Sequence, residues 1–121
     1  MSRERKDKGD LGEELAAQFL VENGYDILAR QFIYEKGEVD IIAQKENVIA
    51  FVEVKMRSST NYGLPQDFVK PAQIKKIINC ADYFMQERPL QEEARFDIIA
   101  VILEPKKKAV LDHIKDAFYH F

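Results

Sequence analysis

Three charged residues lie inside otherwise apolar stretches of the chain: Asp40 in VDIIAQ, and Glu53 and Lys55 in VIAFVEVKM. Burying a charge costs several kcal/mol of folding free energy unless a partner compensates it. Successive side chains of a strand point to opposite faces, so Glu53 and Lys55 share one face while Val52 and Val54 share the other. The charged side chains therefore either face solvent or converge on a common site, and the apolar flanks favour convergence.

A convergent arrangement would suit metal-dependent hydrolysis of a phosphodiester. An aspartate and a glutamate a few ångströms apart repel each other unless a cation lies between them. Mg²⁺ or Mn²⁺ prefers oxygen ligands and keeps several waters, so Asp40, Glu53 and the carbonyl of Val54 would leave room for water and a phosphate oxygen. Lys55 could then stabilise the attacking water or the transition state.

The elements that must position these residues follow the order helix, three strands, helix, two strands. Asp10 resembles an N-cap with Glu13 as its capping-box partner, and Asn23-Gly24 ends the first helix. A second helix is expected from Pro71 to a point before Pro89. The strands are expected over residues 25–32, 39–44, 48–56, 95–103 and 109–114. This order predicts an α/β protein with a mixed sheet of about five strands flanked by helices.

The register of the second and third strands decides whether the carboxylates meet. If KEN forms the turn, Gln44 pairs with Val48 and Asp40 with Val52, which places Asp40 near the height of Glu53. A slip of one residue would move one carboxylate to the other face.

Composition sets the broad class. The 121 residues suit a single domain over 1–121, with residues 1–8 forming a flexible basic N terminus. No apolar run reaches the length of a membrane span, the N terminus has no signal-peptide pattern, and one cysteine favours the reducing cytoplasm. One cysteine and two histidines make structural zinc a poor expectation. The net charge of −3 does not itself indicate nucleic-acid binding, although basic residues are clustered.

Asp40 followed thirteen positions later by Glu53-Val54-Lys55 resembles the PD-(D/E)xK nuclease signature. More closely, the blocks GDLGEELAAQFLVENGYDILARQF, GEVDIIA, FVEVKMRSSTNYGLP and RFDIIAV resemble the YraN-like family of endonucleases, over residues 9–118. The resemblance implies a restriction-endonuclease-like fold and metal-dependent cleavage of DNA, including branched or flapped structures. It also implies similarity to Holliday-junction resolvases and an association as homodimers.

The same resemblance gives Glu13 a second interpretation, because resolvase-like relatives place a glutamate of the first helix in the metal site. Gly12 would let that helix approach the sheet closely and bring Glu13 toward the strand carboxylates. The capping box with Asp10 remains the alternative role for Glu13.

Further candidates surround this core site. Glu38 is a possible additional ligand, with a solvated turn glutamate as the alternative. Relatives carry a basic residue where this chain has Gln73, so a neighbouring lysine could replace it as a phosphate contact. The expected nucleic-acid-binding residues are Arg57, Lys70, Gln73, Lys75 and Lys76. The rival function is a non-catalytic nucleic-acid-binding module that retains the nuclease fold.

Overall fold

The computed structural model describes residues 3–58 and 69–118, with side chains from Asp10 onward. Two helices and five strands follow one another as α1 (Arg3–Glu22), β1 (Asp26–Tyr34), β2 (Gly37–Lys45), β3 (Val48–Arg57), α2 (Pro71–Met85), β4 (Glu93–Ile102) and β5 (Val110–Ile114). This is the order expected from the sequence, and the fold class is confirmed. Most of the expected SSTNYGLP loop lies outside the described residues.

The five strands form one mixed sheet in the order β1-β2-β3-β4-β5. Neighbouring strands are antiparallel except for β3 and β4, which run parallel. Helix α2 supplies the crossover that a parallel pair requires. The central strands carry nearly continuous runs of apolar, buried residues, which is the pattern of a sheet covered on both faces.

Each face of the sheet carries one helix. On one face, α1 packs Ala16, Ala17 and Leu20 against a cluster that includes Val52 and Ile99. On the other face, α2 contributes Ile77, Cys80 and Ala81 to a cluster around Phe51, Phe96 and Ile98, which are all buried. No helix within the described residues is apolar and long enough to span a bilayer.

The expected hairpin register was wrong by one residue. Lys45 is still part of β2 and pairs with Val48, so Glu46 and Asn47 alone form the turn. Glu46 has a positive φ of 55°, as two-residue hairpin turns require. Ile41 therefore pairs with Val52, and the same register extended by one residue sets Asp40 opposite Glu53.

The beginning of α1 also differs from expectation. The helix starts at Arg3 and includes most of the segment 1–8 that the sequence suggested to be a flexible terminus. Asp10 is therefore inside the helix, and its assignment as N-cap was wrong. The expected end was confirmed, since Gly24 has φ +89° and its N–H donates to the carbonyl of Val21 at 3.1 Å.

Candidate active site

Asp40 lies where the hairpin of β2 and β3 stops pairing. The last backbone partners before it are Ile41 and Val52. Beyond that point, the backbone N–H of Val54 donates to Oδ2 of Asp40 at 2.8 Å. The Asp40 side chain thus accepts a hydrogen bond from β3 that a backbone carbonyl of β2 would accept in a continuous ladder. This hydrogen bond holds the carboxylate between the two diverging strands.

Glu53 and Lys55 point to the same side of β3, as the alternation predicts. The Nζ atom of Lys55 lies 3.8 Å from Oε2 of Glu53. Gln73, on the first turn of α2, donates its Nε2 hydrogen to the same Glu53 oxygen at 3.0 Å. Glu53 is 5% exposed, so a buried carboxylate is held by one lysine and one amide.

The two carboxylates are electrostatically strained in the absence of a cation. Burial raises the pKa of Glu53 to about 8, and the charge of Asp40 adds to that effect while Lys55 opposes it. Burial likewise raises the pKa of Asp40 to about 6, against the stabilising hydrogen bond from Val54. The raised pKa of Glu53 means that both carboxylates are ionised together at neutral pH only when additional positive charge is supplied.

Glu38 belongs to the same electrostatic environment, although its side chain is exposed. Its negative charge further raises the pKa of both Asp40 and Glu53. A third acidic group close to the pair increases the attraction for a cation.

Glu13 is brought to the site's margin but is committed to other partners. Gly12 is buried, and a Cβ atom there would overlap the thioether of Met56 on β3, which confirms the expected close approach of α1. Arg30 Nε donates to Oε1 of Glu13 at 3.0 Å, and Gln31 Nε2 lies 3.4 Å from Oε2. The charge of Glu13 still raises the pKa of Asp40. Glu13 therefore borders the carboxylate pair while its own charge is neutralised by β1.

Arg30 was not among the residues singled out from the sequence. Its guanidinium bridges two carboxylates of α1, with Nη1 donating to Oε2 of Glu14 at 2.9 Å. These contacts raise the pKa of Arg30, chiefly through the hydrogen bonds that it donates to Glu14 and then to Glu13. Glu13 and Arg30 are seventeen positions apart, so no local spacing could have identified the pair.

The expected phosphate-contacting residues are spread around the site. Lys70, Lys75 and Lys76 are exposed at the start of α2. Arg57 is partly buried, and its Nη1 donates to the carbonyl of Met56 at 2.8 Å. Gln73 is the member of this group that contacts a site carboxylate, so the structure gives it a positioning contact with Glu53.

A second polar cluster is buried beneath α1. Asp97 is fully buried, accepts two hydrogen bonds from Arg95 at 2.8 Å, and lies 2.8 Å from Nε2 of His113. The backbone N–H of Asp116 donates to it at 3.1 Å, and Arg95 also donates to the hydroxyl of Tyr25 at 2.7 Å. This network ties β4 to β5 and to the chain after α1, and it gives His113 the partner that the sequence did not indicate.

No group of three or more His, Cys, Asp or Glu side chains among the described residues is arranged to hold a metal ion. Hydrogen bonds from described residues engage only Oδ2 of Asp40 and Oε2 of Glu53. Within the described residues, the second oxygen of each carboxylate therefore accepts no hydrogen bond and could bind a cation. A site with two hard oxygen donors that leaves most positions to water is what Mg²⁺ commonly uses.

Comparison with known proteins gives a consistent family. A family model described as "Uncharacterised protein family UPF0102" matches residues 12–101. A UPF0102 protein of Flavobacterium psychrophilum is 48% identical over 118 residues, covering 98% of each chain. A UPF0102 protein of Flavobacterium johnsoniae is 45% identical with the same coverage, and one of Caldanaerobacter subterraneus is 43% identical over 94% of this chain and 96% of its own.

Proposed function

The chain belongs to the uncharacterised protein family UPF0102, and from that premise we propose that it is a metal-dependent nuclease that hydrolyses DNA phosphodiester bonds. The observation that carries the proposal is the pair of carboxylates, half-buried Asp40 and buried Glu53, set opposite each other beside Lys55. Their mutual spacing and order also support membership of the PD-(D/E)xK superfamily and the YraN-like group within it.

Asp40 and Glu53 would hold Mg²⁺ or Mn²⁺, with the Val54 carbonyl as a further candidate ligand. When bound, such an ion supplies the positive charge that the carboxylate pair lacks and lowers the pKa of water. Val54 holds Asp40 in place through its N–H, and Gln73 holds Glu53 through its side-chain amide. Both carboxylates are thereby oriented before substrate arrives.

Lys55 would act on the substrate side of the pair. Its side chain is 22% exposed and its ammonium lies 3.8 Å from Glu53, so it can reach a phosphate oxygen without leaving the carboxylate. Positive charge placed where negative charge develops stabilises the transition state of phosphoryl transfer. The exposed lysines of α2 would contact the DNA backbone without reading its sequence.

The proposal is tested with purified protein, Mn²⁺ or Mg²⁺, and single-stranded, duplex, flapped and four-way-junction DNA. Asp40→Asn and Lys55→Met are expected to lower cleavage at least 100-fold, because they remove a metal ligand and a transition-state contact. Asp26→Asn and Lys115→Met are matched exposed controls and should cut like the parent. Failure of the parent to cut any substrate, or equal cutting by Asp40→Asn, would contradict catalysis.

The second candidate is a non-catalytic nucleic-acid-binding module. The neutralisation of Glu13 by Arg30 favours it, since the described residues do not assemble a three-carboxylate metal group. Calorimetric titration with Mn²⁺ separates the two functions. A nuclease should bind Mn²⁺ in a manner that Asp40→Asn abolishes, whereas a binding module should show no such dependence.

A further inference from the structure

Two tyrosines form an exposed aromatic stack at the end of β1. The rings of Tyr34 and Tyr83 are 4.1 Å apart between centroids and inclined by 15°. Tyr34 packs partly against the core on the α2 face, whereas Tyr83, on α2, is 49% exposed. The stack therefore continues the aromatic core out to the protein surface.

Two grooves meet at this stack. The first, of about 470 Å³, lies between the β1–β2 turn and α2 and is lined by Tyr34, Glu35, Lys36, Gly37, Lys76 and Asn79. The second, of about 310 Å³, shares Tyr34, Glu35 and Asn79 and extends to Asp82, Tyr83 and Gln86. Volumes of this size are in the range of small-molecule sites.

The charges of the first groove suit one phosphate group. Lys36 and Lys76 are exposed, and neither forms an ion pair within the described part of the chain. Glu35 contributes one negative charge, so the two lysines leave a net charge of +1. Aromatic faces beside uncommitted lysines are the combination with which proteins bind unpaired nucleotides.

The groove opens next to the candidate active site. Gly37 is in its wall and lies three residues before Asp40 on β2, a distance of about 10 Å along a strand. At a rise of roughly 3.4 Å per stacked nucleotide, that distance corresponds to at most about three nucleotides. A single strand of nucleic acid that crosses the carboxylate pair can therefore also reach the two tyrosines.

We propose that this groove binds an unpaired nucleotide of the substrate strand, with its base stacked on the Tyr34–Tyr83 pair and its phosphate held by Lys36 and Lys76. The inference rests on the proposed function and narrows its substrate to nucleic acid with a single-stranded segment. Bases inside a duplex have both faces covered by their neighbours, so only an unpaired base offers a face to the tyrosines.

The test measures DNA binding separately from cleavage. The full-length chain carrying Asp40→Asn and Glu53→Gln provides a background that should not cut and has less negative charge. A labelled 12-nucleotide single strand and a blunt duplex of the same sequence are titrated by fluorescence anisotropy. Tyr34→Leu and Tyr83→Leu remove an aromatic ring, whereas Tyr34→Phe keeps it.

Each leucine variant is expected to bind the single strand roughly 5- to 150-fold more weakly and the duplex within about 2-fold of the background. Tyr34→Phe should bind the single strand within about 2-fold. Tyr83→Leu keeps the test usable if Tyr34→Leu does not fold, because Tyr83 is largely exposed. A single 2-aminopurine base moved along the strand should be quenched at one position, and Tyr34→Leu should remove that quenching.

The lysines provide a second readout. Lys76→Gln should reduce the slope of log affinity against log salt for the single strand by about 0.7, the value of one phosphate contact. Lys115→Gln, at an exposed position away from the groove, should leave the slope unchanged.

Single-strand affinity that survives both leucine substitutions, or equal losses for duplex and single strand, would overturn the proposal. Cleavage by the parent without tyrosine-dependent binding would overturn this inference and leave the nuclease standing. Tyrosine-dependent binding without any cleavage would support the nucleotide-binding groove and overturn the proposed nuclease activity.

Discussion

Replacing Glu53 with glutamine is expected to stabilise the metal-free protein at alkaline pH. The carboxyl pKa is raised from its ordinary value of 4.5 to about 8, chiefly by burial. A carboxyl group whose pKa is raised by folding favours the native state below pH 4.5 and loses that contribution as pH rises through 8. Glutamine keeps an oxygen that accepts the hydrogen bond from Gln73, and it has no charge to bury. The stability of the variant should therefore not fall in this way as pH rises.

The size of the effect follows from the pKa difference. Each pKa unit corresponds to about 1.4 kcal/mol, so the full penalty is roughly 5 kcal/mol, and about 4 kcal/mol of it develops between pH 5 and pH 9. The stability of Glu53→Gln relative to the parent should therefore rise by about that amount over this range. A change of 1 kcal/mol moves the melting temperature of a domain of this size by roughly 3–6 °C.

The measurement is urea unfolding followed by far-UV circular dichroism at pH 5 and pH 9 with EDTA present. The chain has no tryptophan, which makes circular dichroism the more direct signal. Glu87→Gln, at an exposed position just beyond α2, is the matched control and should show the same difference at both pH values. A Glu53→Gln variant that is less stable than the parent at pH 9, or whose advantage does not change with pH, would refute the reasoning.

Three further predictions concern the surroundings of the site. Glu13→Gln should lower the free energy of unfolding by about 1–3 kcal/mol, because the hydrogen bond from Arg30 would no longer have a charged acceptor. Calorimetry should show that the affinity for Mn²⁺ changes by less than about 3-fold. A loss of about 10-fold would instead identify Glu13 as a metal ligand. Gly37→Ala should cost about 1–3 kcal/mol by urea unfolding, since its Cβ would lie 2.6 Å from the Lys76 carbonyl oxygen; unchanged stability would show that α2 can shift. Burial opposes ionisation of Asp97, but hydrogen bonds from His113, Arg95 and the Asp116 backbone keep its pKa lowered from 3.8. The ionised carboxylate therefore stabilises the fold above pH 3.8, and this stabilisation is lost as pH falls below that value. Asp97→Asn should cost about 3–5 kcal/mol at pH 7 and less at pH 3, and an equal cost at both pH values would contradict that assignment.

Much of the fold was predictable because its signals are local. Alternation along β3 placed Glu53 and Lys55 on one face, and the apolar run of β4 indicated a strand covered on both sides. Gly12 indicated the close approach of α1 through the absence of a side chain. Each of these inferences depends on residues within a few positions of one another, where geometry is set by the repeat of the strand or helix.

The hairpin register and the Glu13–Arg30 contact could not be predicted in this way, because they depend on how separate segments of the chain pair and pack with each other. The hairpin register was missed because a turn of two residues, Glu46 and Asn47, and one of three residues leave almost the same sequence pattern. The pairing of Glu13 with Arg30 requires α1 to lie over β1, and β1 contains a register irregularity between Ile27 and Ala29. Such contacts are set by the packing of whole elements, which single-residue spacing does not encode.

The hydrogen bond from Val54 to Asp40 makes one backbone amide a spectroscopic reporter of the site. Its proton lies between the peptide nitrogen and the carboxylate oxygen at 2.8 Å, so its chemical shift follows the charge on that oxygen. In a ¹H–¹⁵N spectrum, the Val54 cross-peak should titrate with the apparent pKa of about 6 that belongs to Asp40. Added Mn²⁺ should broaden the same peak. One backbone amide can therefore report both the protonation state of Asp40 and the binding of metal, without any engineered label.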